Sequence, residues 1–300
     1  MRNSFVCDLV LAARVNPNIV LLTGDLGSNC LEPFIEAFPD RYFNCGIAEQ
    51  NMMLVASGLA LEGKKVFIYS IGNFDSLRVL EMIRNNISYM NLDVNIISVG
   101  AGLEYGKLGF SHHSTEDITC LRSLPNMCVF NPATQKEMSG VTKFMMTSTN
   151  PCYVRMNKKS VGDFGSSALK VSNVVVGSDI AILATGSIVT EAIEAANILK
   201  QKGINASVFS CPVIKPRADK AIKDIIANFD AIITLEEHTV VGGFGSSVAE
   251  VVAESGKGIA FKSIGIQDEY AEFVGDRSHL RKEYKMDALS VAKVAIKLLK

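Results

Sequence analysis

Short apolar runs alternate with helical stretches along this chain, and the alternation breaks once, across a polar segment, before starting again. Ile19 to Leu22, VNIISV at 94 to 99 and DIAILATG at 179 to 186 have the length of strands buried on both faces, and the segments between such runs carry a helical apolar spacing. Buried strands joined through helices form a parallel sheet with right-handed crossovers. The expected class is α/β, with two consecutive three-layer domains built on mainly parallel sheets. The Gly- and Ser-rich segment KKSVGDFGSSALKVSN at 158 to 173 is the only good linker, which puts the domains at 1 to 165 and 166 to 300. A length of 300 residues suits two domains of about 150.

One stretch of the first block stands apart, RYFNCGIAEQNMMLVASGLALEG at 41 to 63. Between Asn44 and Leu61 its sole carboxylate is Glu49. At 100° per residue Ile47, Leu54, Val55, Gly58 and Leu59 share one face, with Met52, Met53, Ala56 and Ala60 opposite them around Glu49. A helix apolar all round is a buried helix. Gly46 should start it and Gly63 with Lys64 end it, leaving Glu49 in the first turn against a partner surface. Burial raises a carboxyl pKa by up to about 3–5 units, more than a helix N-terminus lowers it, so a raised value is expected. Two uses stay open from these residues: a functional acid in a dry site, or a structural one paired with a distant cation such as Arg84.

The formal charge of −1, with basic residues scattered, gives no electrostatic case for nucleic acid or an anionic membrane. Seven cysteines, odd in number and without a CxxC, suggest reduced thiols in a cytoplasmic protein. With 48% hydrophobic residues and a mean hydropathy of +0.23 the chain can bury large cores. Its first residues, MRNSFVCDLVLAARVN, read as an amphipathic helix and not as a signal peptide.

Loops at the carboxyl ends of parallel strands are where α/β proteins bind ligands. TGDLGSN after the first strand makes Asp25 and Leu26 candidates, unless Gly24 and Gly27 merely turn the chain. Phe74 follows KKVFIYS at 64 to 70 and precedes a helical stripe at 77, 80, 83 and 87; it either faces a planar ligand or packs in the core. Gly100, Gly102 and Gly106 imitate a dinucleotide loop, but no helix follows directly, which excludes that reading. Ser114 and Asp117 suit an N-cap pair. The spacing of His112 to Glu116 and His113 to Asp117 allows a metal pair, but a neutral histidine facing a ligand is the better use. In EEHTVVGGFGSS, Glu236, Glu237 and His238 suit either catalysis or, preferably, a subunit contact. Gly203 is the expected C-cap of the helix TEAIEAANILKQKG.

TGDLGSN, RYFNCGIAEQNM, FDSLRVLEMIRN, SHHSTEDI with LRSLPNM, and EEHTVVGGFGS together resemble the C-terminal half of the transketolase family, over essentially the whole chain. The likeness is to the smaller of the two polypeptides into which some bacteria and archaea split that enzyme, and more distantly to 1-deoxyxylulose-5-phosphate synthase. It implies a thiamine diphosphate pyrimidine-binding domain followed by a transketolase C-terminal domain. It also implies an N-terminal partner subunit that carries the diphosphate and Mg²⁺, because the GDG…N motif of that site is missing from this sequence. Self-association into an α2β2 heterotetramer follows from the same likeness.

By resemblance, Glu49 is the acid that hydrogen-bonds the aminopyrimidine ring, Phe74 the aromatic that stacks on it, and Asp25 and Leu26 lie by the cofactor. Ile71 stands where the family carries another aromatic. His112 matches the histidine at the substrate oxygen. Leu108 replaces an aspartate that reads a sugar hydroxyl, and Gly100 a second histidine at the substrate's phosphate; Arg155 and Lys158 remain as candidate anion holders. The implied activity is transfer of a two-carbon ketol or acyl unit to a sugar-type acceptor. The β subunit of a 2-oxo-acid dehydrogenase's thiamine-dependent component, or a non-catalytic regulatory subunit, is the alternative.

Overall fold

In the computed structural model, which describes residues 1–300, the first block contains α1 (Arg2–Val15), β1 (Ile19–Thr23), α2 (Glu32–Ala37), β2 (Tyr42–Asn44), α3 (Glu49–Leu61), β3 (Lys65–Ile71), α4 (Leu80–Met82), β4 (Val94–Val99), α5 (Asp117–Ser123), β5 (Cys128–Phe130), α6 (Gln135–Thr147) and β6 (Cys152–Met156). The second contains β7 (Ser172–Val175), β8 (Ile180–Ala184), α7 (Val189–Lys200), β9 (Ala206–Ser210), β10 (Val213–Lys215), α8 (Asp219–Asn228), β11 (Ala231–Thr239), α9 (Phe244–Ser255), β12 (Ala260–Ile266), α10 (Arg277–Glu283) and α11 (Ala288–Leu298). The seven-stranded sheet runs β10-β5-β6-β4-β3-β1-β2 and the five-stranded one β12-β11-β8-β9-β7. All neighbours are parallel except β10 with β5 and β7 with β9.

β1, β4, β6, β8 and β9 are buried at every residue because helices cover both faces of each sheet. α1 lays Phe5, Val6, Leu9, Val10 and Ala13 on one face of the first sheet, beside Phe34 and Met138. α6 starts where Thr134 accepts the Glu137 N–H, a side-chain cap that ends the loop after β5. The core on the other face is shared: Met52, Met53, Ile83 and Ile118 join Phe209, Ile214, Ile222 and Phe244 of the second block.

Four local expectations change. Residues 158 to 173 are not a free tether: the Phe164 carbonyl accepts from Thr134, and a Cβ at Gly140 would stand 2.6 Å from the Ser167 carbonyl. β10 belongs to the first sheet although it lies in the second block. α7 ends at Lys200 with Gln201 as C-cap; Gly203 makes the following turn at φ 76°. The stripe after Phe74 is a short 3₁₀ turn, then α4, then a π-helical turn over Ile83–Ser88, burying Val79, Ile83 and Ile87.

Candidate active site

β1, β3, β4 and β6 lie near one another in the first sheet, so the loops leaving their carboxyl ends share one edge. Asp25 and Leu26 follow β1, Phe74 follows β3, Gly100 follows β4 and Lys158 follows β6. α3 enters the same edge from β2. Asn44 joins the two loops there: its Oδ1 accepts from Asp25 N and Gly46 N, both at 3.0 Å, and its Nδ2 donates to Asp25 Oδ1 at 3.1 Å. Asp25 sits at φ 57°, a left-handed conformation that Asp tolerates. Gly24 lies against Glu49, with a Cβ there 3.3 Å from the Gly46 carbonyl and 3.8 Å from Glu49 Cγ.

α3 begins at Glu49, which is 4% exposed. Its buried face is Met52, Met53, Ala56 and Ser57, while Leu54 and Leu61 on the helix and Ile47 and Phe43 before it face outward. The helix is therefore not buried all round within this chain; Ile47, Leu54 and Leu61 leave an apolar stripe exposed. Nor is Glu49 without a cation. Arg78 Nη1 lies 2.8 Å from Glu49 Oε2, whereas Arg84 bonds its neighbour Asn85. Glu49 Oε1 accepts no hydrogen bond from this chain.

The Arg78 guanidinium also lies 4.4 Å from the centroid of the Phe74 ring. Phe74, half-buried, meets His112 edge to face at 5.4 Å, and Asn73 Nδ2 ties the two loops by donating to the Ser111 carbonyl at 2.8 Å. The His112 ring stands 6.3 Å from Tyr105, whose face carries the Lys158 ammonium at 3.8 Å. Tyr105 also explains Gly100: at φ +91° a Cβ would be 2.1 Å from the tyrosine ring, so that ring occupies the space a side chain at 100 would need. Leu108, 55% exposed, opens onto a cavity of about 410 Å³ with Tyr105, Lys158 and Arg277. Ile71, half-buried, ends β3, and its carbonyl accepts from Phe74 N and Asp75 N. Glu49, Phe74, His112 and Lys158 thus form one row, with Gly24 against Glu49, Asp25 tied to Asn44 next to it, and Leu26 packed toward the Phe5 and Phe34 core. Arg78, Tyr105 and Asn44 complete it, and no local sequence signal marks them.

Arg155 leaves that row. It is 1% exposed, its Nε is 2.8 Å from Asp117 Oδ2, and it donates to the Ser114 and Glu237 carbonyls, so it is not free to hold an anion. The same pair overturns the capping expectation, because α5 has Glu116 as N-cap without a side-chain bond. His113 is buried, and burial pulls its pKa below the ordinary value.

Glu236, Glu237 and His238 lie inside the molecule and not on a subunit contact. Glu236 accepts the Phe244 and Gly245 N–H groups at the start of α9; burial raises its pKa to about 7. Burial would raise Glu237 as well, but Arg277 and Arg281 together bring it down to about 2. Burial lowers His238 to about 4.

An acid with one open oxygen, a half-exposed aromatic and a histidine thus lie along the carboxyl edge of a parallel sheet. Residues 1–163 match the transketolase pyrimidine-binding domain and residues 169–291 the transketolase C-terminal domain. A putative transketolase C-terminal section of Methanocaldococcus jannaschii is 37% identical over 98% of this chain and 94% of its own length. An apulose-4-phosphate transketolase subunit of Actinobacillus succinogenes is 33% identical, over 99% of this chain and 98% of its own. A solved structure described as a split-gene transketolase, inactive beta4 tetramer, superposes with a TM-score of 0.87 at 34% identity, covering 99% of this chain and 97% of that one. The chain belongs to the transketolase family. It corresponds to the C-terminal subunit of a two-subunit transketolase-like transferase that works with an N-terminal partner and depends on thiamine diphosphate. No helix is long and apolar enough to cross a membrane.

Proposed function

We propose that this chain supplies the pyrimidine side of a thiamine diphosphate site completed by the N-terminal subunit, in a cytoplasmic assembly of two copies of each. The partner holds Mg²⁺ and the diphosphate, and the domains divide at 165/166. The observation that carries the reading is the row Glu49, Arg78, Phe74, His112. The open Oε1 of a buried carboxyl beside a half-exposed ring fits a planar base that needs an acid at one ring nitrogen. The seven free cysteines agree with a reducing compartment.

Bound thiamine diphosphate supplies an acidic carbon that, once deprotonated, attacks a ketone carbonyl. Glu49 holds the base and shares a proton with it, Phe74 stacks on its face, and Asp25, Leu26 and Ile71 line its side. A dry carboxyl is suited to that exchange. His112 reaches the substrate oxygen beside the reacting carbon. Lys158, on the Tyr105 face, holds an anionic end.

Leu108 and Gly100 point to the substrate class. An apolar Leu108 in place of a hydrogen-bonding acid gives up discrimination that buried polar contacts raise to about 10⁴-fold in favourable cases. The acceptor is therefore a deoxy, keto or nucleotide-linked sugar in a specialised pathway, and not an ordinary pentose phosphate. Relatives named for apulose 4-phosphate and for 6-deoxy-6-sulfo-D-fructose, both unusual ketoses, support a specialised substrate class, though on the side of the ketol donor. The test is an assay of the reconstituted pair, comparing xylulose 5-phosphate plus ribose 5-phosphate with deoxy and keto acceptors. Ordinary turnover of the pentose phosphates, with Leu108→Asp bringing no gain, would refute it.

A further inference from the structure

Beneath the Phe74 turn a row of buried polar side chains runs away from the cofactor face. Asp75 Oδ1 lies 2.6 Å from Ser98 Oγ on β4, Ser98 Oγ lies 2.8 Å from the Tyr153 hydroxyl on β6, and that hydroxyl lies 2.7 Å from Asp117 Oδ2 at the start of α5. All four residues are at most 1% exposed. Oxygen pairs this close each need one proton between them. The two hydroxyls bring one proton apiece, so the three contacts are one proton short unless a carboxyl at one end is protonated.

The ends differ. Asp117 has Arg155 Nε at 2.8 Å, with His238 Nε2 at 3.8 Å from its other oxygen. Asp75 meets no cation. The charged or titratable groups around it are Tyr153 from β6, Asp117 from α5 and Glu49 from α3, and the nearby cations Arg155 and Arg78 are engaged by Asp117 and Glu49. Asp75 Oδ2 is buried without a hydrogen-bond partner.

We propose that Asp75 is a neutral carboxylic acid that donates to Ser98, which donates to Tyr153, which donates to Asp117, and that this one-directional row locks the turn carrying Phe74 and Arg78 to the helix after the His112 loop. Asp75 is thus a positioning residue. Burial, the largest influence on its carboxyl, pushes the pKa well above the ordinary value. The row is independent of which group the enzyme transfers.

Linkage supplies the test. An aspartate in the unfolded chain has a pKa of about 3.9, so above that pH unfolding releases the Asp75 proton. A raised folded pKa means stability that declines as pH rises toward it, with the unfolding constant growing about tenfold per pH unit from this group alone. Asp75→Asn donates to Ser98 in the same way and has no proton to lose. Between about pH 5.5 and 7.5 the unfolding constant of the natural chain should rise more steeply than that of the variant, by one proton; Glu236 adds the same slope to both and cancels. Equal slopes overturn the proposal. Two measurements stand even where the variant does not fold. In the natural chain labelled with ¹³C-aspartate, one carboxyl carbon should keep a protonated shift at neutral pH, and every carboxyl in the ionised range overturns the neutral acid. In Tyr153→Phe, amide exchange across residues 72 to 78 should accelerate at least about tenfold; unchanged exchange there overturns the locking role.

Discussion

Arg78 places its guanidinium 2.8 Å from Glu49 Oε2, twenty-nine residues away, and the same group covers the Phe74 ring. One side chain therefore sets the distance between the acid and the aromatic. Arg78→Met removes the ion pair but keeps the reach of the stem. The Arg78 side chain is 45% exposed, so screening reduces the loss to about 1 kcal/mol, well short of a fully buried pair. The urea midpoint of the chain measures it.

Glu49→Gln keeps the volume of the acid and loses its proton. In the assembled enzyme, proton exchange at thiamine C2 should fall at least about 10²-fold with the fold intact, the cost of losing an acid–base group. Exchange followed by NMR in deuterated buffer decides it, and an unchanged rate would return Glu49 to a structural role.

Leu54 is 45% exposed in the middle of the stripe that runs from Ile47 to Leu61. Leu54→Glu should leave the isolated chain within about 0.5 kcal/mol of its natural stability, as surface changes do. The same change should abolish assembly with the N-terminal subunit, because a charge in the core of an interface is buried unpaired. Sedimentation of the mixed subunits reads the outcome, and unaltered assembly would move the interface elsewhere.

Arg281 Nε lies 2.6 Å from Glu237 Oε1, and Arg277 takes the other oxygen at 2.6 Å. Arg281→Ala leaves a buried carboxylate half-compensated and should cost about 3 kcal/mol. The folded pKa of Glu237, about 2, lies below its unfolded value, so this group's contribution is present above the unfolded pKa and lost as pH falls toward 2. Acid unfolding of Arg281→Ala should therefore begin at higher pH than that of the natural chain. Coincident acid transitions would show that the pair contributes nothing.

Local pattern carried most of the strands and helices, since burial on both sheet faces writes itself as continuous apolar runs, as at Val94 to Val99; the short strands at Tyr42–Asn44 and Ser172–Val175 were not among them. It also put Glu49 in the first turn of a helix, and Phe74 and His112 in the segments that follow β3 and β4. What it missed depends on contacts between distant residues. Nothing near Arg155 announces Asp117 as its partner, and nothing near Gly100 announces the ring of Tyr105. α3 read as apolar on every face because sequence periodicity cannot separate a side buried in its own chain from one left for another chain. Val213–Lys215 escaped notice because three residues carry no period and the strand forms only against β5.

Those three residues have a further consequence. Val213 pairs with Phe130 and Lys215 with Val129, so the last strand of the first sheet is drawn from beyond the family boundary. A chimera that grafts residues 166 to 300 from a relative onto this front half must also import a matching edge for β5, or leave its backbone amides and carbonyls bare for other chains to pair with. The boundary written in the sequence is not a seam along which the molecule can be cut.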